Sequence, residues 1–76
     1  MNKIRRKSLR DIAEQLEELK ASLEELQKEE EEYRDNMPEN LQGSERYDAA
    51  EEAISNIEDA VSSLEDVISS IESAIE

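Results

Sequence analysis

Two stretches of the sequence place apolar or aromatic residues at alternating steps of three and four. The first runs from Leu9 to Met37 with Glu30 in one of its places, and the second runs from Tyr47 to Ile75 without interruption. Such steps form the heptad pattern, in which positions a and d face a partner helix. Position a falls at 9, 16, 23, 30 and 37, and again at 47, 54, 61, 68 and 75. The pattern predicts two long amphipathic helices.

The residues between these stretches predict a turn. Pro38 disfavours helical backbone at Met37, so the first helix should end near Asp35. Gly43 suits a left-handed position, and Ser44 suits the N-cap of the second helix. We therefore predict a basic arm at 1–8, helix 1 at 9–35, a turn at 36–43 and helix 2 at 44–76. Because so short a connection favours antiparallel neighbours, the expected fold is all-α, an antiparallel two-helix coiled-coil hairpin.

The register of this pairing has two candidates. A turn centred near residue 40 pairs positions whose numbers sum to 80, for example Leu26 with Ile54. A shift of one heptad gives a sum of 87 and places Glu30 against Ile57. We prefer the sum of 80, because it leaves Glu30 at the end of the seam and keeps every other layer apolar.

The two helices differ in the width of their apolar stripe. Helix 1 has polar residues at position g, whereas helix 2 has small apolar residues there, namely Ala53, Ala60, Val67 and Ala74. A stripe that covers a, d and g is typical of a bundle helix rather than of a two-stranded seam. We predict that this g column is a dimer interface, through which helix 2 packs against helix 2 of another copy in a four-helix bundle.

The net charge of −13 is unevenly distributed. Residues 1–10 hold five basic residues and no acidic one, whereas residues 47–76 hold nine acidic residues and no basic one. The basic arm has two interpretations, contact with nucleic acid or an anionic membrane, and neutralisation by the acidic end of helix 2. We favour neutralisation, because the rest of the chain would repel phosphates. Direct nucleic-acid binding and membrane binding are therefore not expected.

The sequence offers little for catalysis. It has no Cys, no His and no Gly-rich phosphate loop, and a two-helix surface provides no deep cleft. The acidic run at 29–32 with Asp35 lies on a straight helix, so its carboxylates point in different directions and do not converge on a cation. We expect no enzyme activity, no cofactor and no metal site. Since neither a signal peptide nor a long apolar run is apparent, we expect a cytoplasmic location.

Two features remain as candidate binding surfaces. Acidic pairs recur every seven residues along helix 2 and define an acidic face, which consists of Glu51, Glu52, Glu58, Asp59, Glu65 and Asp66. Such rows either imitate the phosphates of duplex DNA or keep the chain soluble. The turn carries two large apolar residues, which either cap the core or bind a partner. The candidate partner-binding loop consists of Asn36, Met37, Pro38, Glu39, Asn40, Leu41 and Gln42.

The stretch Y-R-D-N-M-P-E-N-L-Q-G-S-E-R-Y at residues 33–47 resembles a turn in short acidic helical proteins of Gram-positive bacteria, their prophages and their mobile elements. Those proteins also resemble this chain in a basic M-N-K-x-R-R-K start and a Ser/Glu-rich helical tail. The resemblance implies an intracellular, often element-borne protein, and it implies no particular function. Our leading hypothesis is a non-catalytic acidic interaction module that binds itself and an unidentified protein. The alternative is a DNA-mimic inhibitor of a host nucleic-acid-binding or defence enzyme.

Overall fold

The protein is a helical hairpin. The computed structural model describes all 76 residues and contains two long helices, α1 (Lys3–Asp35) and α2 (Glu45–Ile75), joined through a short 3-10 turn at Glu39–Leu41. The helices pack against each other along their length, and the chain contains no strand. Its Cα atoms extend over 60 × 14 × 13 Å. The predicted all-α hairpin is confirmed.

Helix α1 begins at Lys3, six residues before the predicted start at residue 9. The cause is an N-cap that lies outside the heptad pattern, since the Oδ1 atom of Asn2 accepts a hydrogen bond from the backbone N–H of Arg5 at 2.8 Å. Asn is among the most effective N-caps, and Lys and Arg are good helix formers. The basic residues at 3–8 are therefore part of the helix rather than a separate arm.

The turn follows the predicted chemistry. Helix α1 ends at Asp35, and the backbone N–H of Asn36 donates to the Glu32 carbonyl at 3.0 Å. Gly43 has a φ of +87°, which is the left-handed conformation expected for it. The Oγ atom of Ser44 accepts a hydrogen bond from the backbone N–H of Tyr47 at 3.3 Å and so caps α2.

The core lies almost entirely on the side of α2. Its four buried residues, at 4–9% exposure, are Ala50, Ile54, Val61 and Ile68, whereas α1 contributes no buried residue. With the exception of Glu31, the half-buried positions of α1 occupy rows a and e, and comprise Arg6, Leu9, Ala13, Leu16, Lys20, Leu23, Gln27, Glu30 and Arg34. Helix α1 is therefore rotated about its axis, so that rows a and e face α2 and row d turns away.

The register also differs from the one we preferred. Lys20 contacts Glu65, and Gln27 contacts Glu58, so both cross-helix pairs join residue numbers that sum to 85. A falling partner number along α1 shows that the helices are antiparallel. The predicted pairing at a sum of 80 is wrong, and the contacts lie closer to the alternative of 87. In agreement with that alternative, Glu30 and Ile57 line the same surface depression.

Candidate interaction surfaces

The rotation of α1 leaves a column of large apolar side chains in water. The apolar and aromatic d residues of α1 are Ile12, Leu19, Leu26 and Tyr33, and each is 46–58% exposed. Single exposed apolar residues are common on protein surfaces, but a contiguous row along a whole helix is not. This column was not predicted as an interface, because heptad notation assigns position d to the seam inside the hairpin.

The g column of α2 is exposed as well. Ala60, Val67 and Ala74 are open to solvent, with Val67 at 45%, and Ala53 is half-buried. These are the residues that the sequence predicts as a dimer interface. Nothing within the hairpin covers Ala60, Val67 or Ala74, so their apolar surface is free for a partner. Their small size would let another helix approach closely.

The two columns lie on the same side of the hairpin. Around a helix, position e lies next to a, and position g lies next to d. When two helices run antiparallel, both e rows fall on one side of the pair, and the d and g rows fall on the other. The surface depressions agree, since one is lined by Leu26, Tyr33 and Ile57, and another by Leu9 and Val67. We call this side the d/g face.

The d/g face of α2 is bordered by uncharged residues. Position c lies next to g on the outer surface, and it holds Ala49, Asn56, Ser63 and Ser70, all exposed. From residue 53 to 71 the only acidic residues of α2 are at e and f. About half of the circumference of α2 therefore carries no carboxylate. A second helix can approach this side without repulsion between like charges.

The opposite side of the hairpin carries its polar cross-helix contacts. Lys20 lies 3.8 Å from Glu65 and 3.7 Å from Glu17, and the Gln27 side-chain amide donates to Glu58 at 3.3 Å. These contacts join the e row of α1 to the e row of α2. Because their carboxylates are exposed to solvent, these contacts contribute roughly 0–1 kcal/mol each. They select the orientation of α1 more than they stabilise it.

The acidic face is divided between two orientations. Of its three e members, Glu58 and Glu65 turn toward α1 and take part in those contacts, whereas Glu51 lies beside Tyr47. Its f members are Glu52, Asp59 and Asp66, which are exposed on the outer surface and form no ion pair. Only the f row is therefore fully available to an external basic partner.

A small polar cluster lies at the turn end of the hairpin. Arg34 donates from Nε to the Asp35 carboxylate at 3.0 Å, and this hydrogen bond raises the pKa of the guanidinium. The pKa of the Tyr47 phenol is raised mainly by a hydrogen bond with the Glu51 carboxylate and further by desolvation, whereas the Arg34 charge lowers it. The charge effects between Arg34 and the Tyr47–Glu51 pair show that the end of α1 lies close to the first turns of α2.

The candidate partner-binding loop divides into a buried residue and an exposed remainder. Met37 is 8% exposed and packs as part of the core, whereas Leu41 is 37% exposed. Asn36, Pro38, Glu39, Asn40 and Gln42 are all exposed. Met37 therefore caps the end of the hairpin, and Leu41 is the one large apolar side chain that the turn presents to solvent.

The open end of the hairpin, where both termini lie, is basic and unpaired. None of its five cationic side chains, Lys3, Arg5, Arg6, Lys7 and Arg10, forms an ion pair. The predicted neutralisation by the acidic end of α2 is therefore absent within one chain, even though Arg10 and Glu72 border the same depression. The Nε atom of Arg6 is buried without a hydrogen-bond acceptor.

The molecule provides no further site of recognisable chemistry. No group of three or more carboxylates is placed to hold a metal ion. Neither helix combines the length and the apolar character that a membrane-crossing segment needs. No protein-family model, curated protein or solved structure matches the chain. Its function has to be inferred from its surfaces.

Proposed function

We propose that this chain is a non-catalytic acidic interaction module whose working form is a homodimer, a four-helix bundle closed through the d/g face. The d/g face is the observation that carries the proposal. It presents large apolar side chains from α1 and small ones from α2 along the whole hairpin. Burying both columns against a second copy removes this surface from water, and that is the dominant favourable contribution to association.

The exposed area supports the same conclusion. The chain exposes 5782 Å², whereas a folded monomer of this size exposes about 4,700 Å². The excess reflects the lack of a third layer over the hairpin. One broad side, 60 Å by 14 Å between Cα atoms, offers about 800 Å², which is what each partner contributes to a standard interface.

Light scattering coupled to size-exclusion chromatography tests the homodimer. The wild-type chain should have the mass of two copies at micromolar concentration, and Leu19→Gln/Leu26→Gln should have the mass of one. Ala21→Gln/Lys28→Gln is a matched control, because it introduces the same side chain at the same spacing on the exposed outer side of α1. A wild-type chain that is a cooperatively folded monomer would show that the proposal is wrong.

A separate protein partner is the second part of the proposal. With the d/g face closed, the bundle still presents Leu41 at each turn and the outer f row of α2. Leu41→Asp should abolish a specific pull-down partner without changing the dimer, whereas Met37→Asp should unfold the end of the hairpin. We also propose a bacterial, element-borne origin and a cytoplasmic location, which the resemblance at residues 33–47 supports.

One observation favours the alternative of a DNA mimic. The carboxylates of Glu52, Asp59 and Asp66 form an unpaired outer row, with about 10 Å between successive members. A mimic should displace duplex DNA from a basic DNA-binding protein, and added salt should weaken that competition steeply. The triple substitution Glu52→Gln/Asp59→Asn/Asp66→Asn, which keeps the shape of the row and removes its charge, should abolish the competition. If added salt did not weaken the competition with DNA, this alternative would be refuted.

A further inference from the structure

The hairpin is electrostatically polarised along its length. At the open end, residues 1–10 and 70–76 contain five basic and two acidic side chains, a net charge of +3. At the turn end, residues 29–52 contain two basic and ten acidic side chains, a net charge of −8. Because the molecule is 60 Å long, these opposite charges lie several Debye lengths apart and cannot neutralise each other within one copy.

The apolar columns fix the height at which a second copy can dock. The d column of α1 is centred at residue 22.5 and the g column of α2 at residue 63.5. The cross-helix contacts at a sum of 85 place position 22.5 level with position 62.5. The two centres therefore differ by one residue, or about 1.5 Å along the axis. A single two-fold axis at this height can stack both columns at once.

Two face-to-face arrangements satisfy that condition. With the two-fold axis along the hairpin, like ends meet, and α1 lies over α2 of the other copy. With the axis across the hairpin, opposite ends meet, and each helix lies over its own counterpart. The second arrangement stacks Leu19 on Leu26 of the other copy and Ala60 on Val67. Apolar contact is available in both, so charge has to decide between them.

We propose that the two copies pack antiparallel, so that the basic open end of each copy covers the acidic turn end of the other. This inference rests on the proposed homodimer and adds its orientation. The parallel arrangement places +3 against +3 and −8 against −8, whereas the antiparallel one places +3 against −8 at both ends. On the d/g face it places Arg5 of row d, which forms no ion pair within its own copy, over the acidic turn end of the other copy. It also keeps α2 against α2, where the residues are smallest.

Electron paramagnetic resonance distances between spin labels test the orientation. The chain lacks Cys, so Gln42→Cys places one label at the exposed turn of each copy. In the antiparallel dimer the turns lie at opposite ends, and the labels should be about 50 Å apart or more, at 1.5 Å per residue from the centre. A distance below about 25 Å, the width of a four-helix bundle, would overturn the inference and leave the homodimer intact. No dipolar coupling together with a monomeric mass would overturn both.

A charge substitution at the open end provides an independent test. In the antiparallel dimer Arg5→Gln removes an exposed cation of row d that faces the acidic turn end of the other copy, so the dissociation constant at low salt should rise about two- to fivefold. In the parallel dimer the same change relieves repulsion and should lower it. Lys28→Gln, an exposed cation near the middle of α1, is the control and should change the constant less.

Discussion

Leu19→Ala measures whether the d/g face is buried in the working form of the protein. In a lone hairpin 58% of Leu19 is already in water. Since full burial of a Leu side chain is worth about 1.5–3 kcal/mol, truncation would then cost only about 1 kcal/mol. In the bundle Leu19 is enclosed by the second copy, and truncation should cost about 2–5 kcal/mol per chain, the range for buried Leu→Ala changes.

Ile68→Ala is the internal standard for this comparison. Ile68 is 4% exposed within the hairpin, so its truncation should cost about 2–5 kcal/mol whether or not a second copy is present. In the bundle the two variants should therefore be comparably destabilised. In a lone hairpin the Leu19 variant should lose less than half as much stability as the Ile68 variant.

Urea unfolding followed by far-ultraviolet circular dichroism measures both variants, because the chain has no Trp and is almost entirely helical. A dimer also makes the unfolding midpoint depend on concentration, and each tenfold increase in chain concentration adds about 1.4 kcal/mol to the dimer. A midpoint that stays constant over a hundredfold range of concentration, together with a small effect of Leu19→Ala, would refute the reasoning.

Three further predictions concern the turn and the tyrosine beside it. Gly43→Ala should destabilise the hairpin by about 1 kcal/mol in urea unfolding, because the φ of +87° at this position disfavours a Cβ. The cause would be purely conformational, since no atom lies within 4 Å of the added Cβ. Gly43→Asn should therefore cost less, and equal losses would contradict this cause. Ser44→Ala should cost about 1 kcal/mol through loss of the N-cap, while Ser44→Asp should retain stability; an unchanged midpoint for Ser44→Ala would show that the cap contributes nothing. In Tyr33→Phe, ultraviolet absorbance should show the one remaining phenol, Tyr47, titrating at higher pH in the folded chain than in urea. The pKa of Tyr47 in the folded chain is raised above its ordinary value of 10.0, so the neutral phenol stabilises the folded state. This stabilisation is complete below about pH 10 and is lost as pH rises through the folded pKa. Equal titration in both states would contradict the Glu51 contact.

The ends of the helices could be predicted because local chemistry sets them. Pro38 limits the backbone before it, Gly43 supplies a left-handed position and Ser44 caps a helix, and each acts within a few residues. The start of α1 is also set by local chemistry, but that chemistry lies outside the heptad pattern and was missed. The Asn2 cap lies well ahead of the first heptad residue, so a prediction based on apolar spacing begins too late.

The rotation of α1 could not be predicted from the heptads alone. Heptad notation assumes that rows a and d face the partner equally. Here row e of α1 carries Ala13 and long polar side chains whose stems can lie against α2, and Lys20 and Gln27 also contact carboxylates there. With row e packed against α2, row d turns outward. The outcome depends on contacts between residues about 31 to 45 positions apart, which no local pattern records.

The register was missed through an assumption about the turn. A sum of 80 follows only if the connection is symmetric about residue 40. Instead Met37 folds inward, is only 8% exposed and caps the core. The first residues of the turn therefore pack against the core, and the turn is not symmetric about residue 40. Cross-helix pairs then sum to 85, and Glu30 approaches Ile57. The turn sequence predicted a cap or a binding tip, but not its effect on register.

The two proposed activities use different rows of α2, and this separates them experimentally. Self-association uses row g and the uncharged row c beside it, whereas DNA mimicry requires row f, which lies on the outer surface. An antiparallel bundle would leave the f rows of both copies exposed and unaltered. Leu19→Gln/Leu26→Gln should therefore dissociate the bundle without removing one outer carboxylate. If such a monomer still displaced DNA from a basic protein, the acidic row would act alone, and if displacement were lost, the spacing of two rows in the dimer would be the recognised feature.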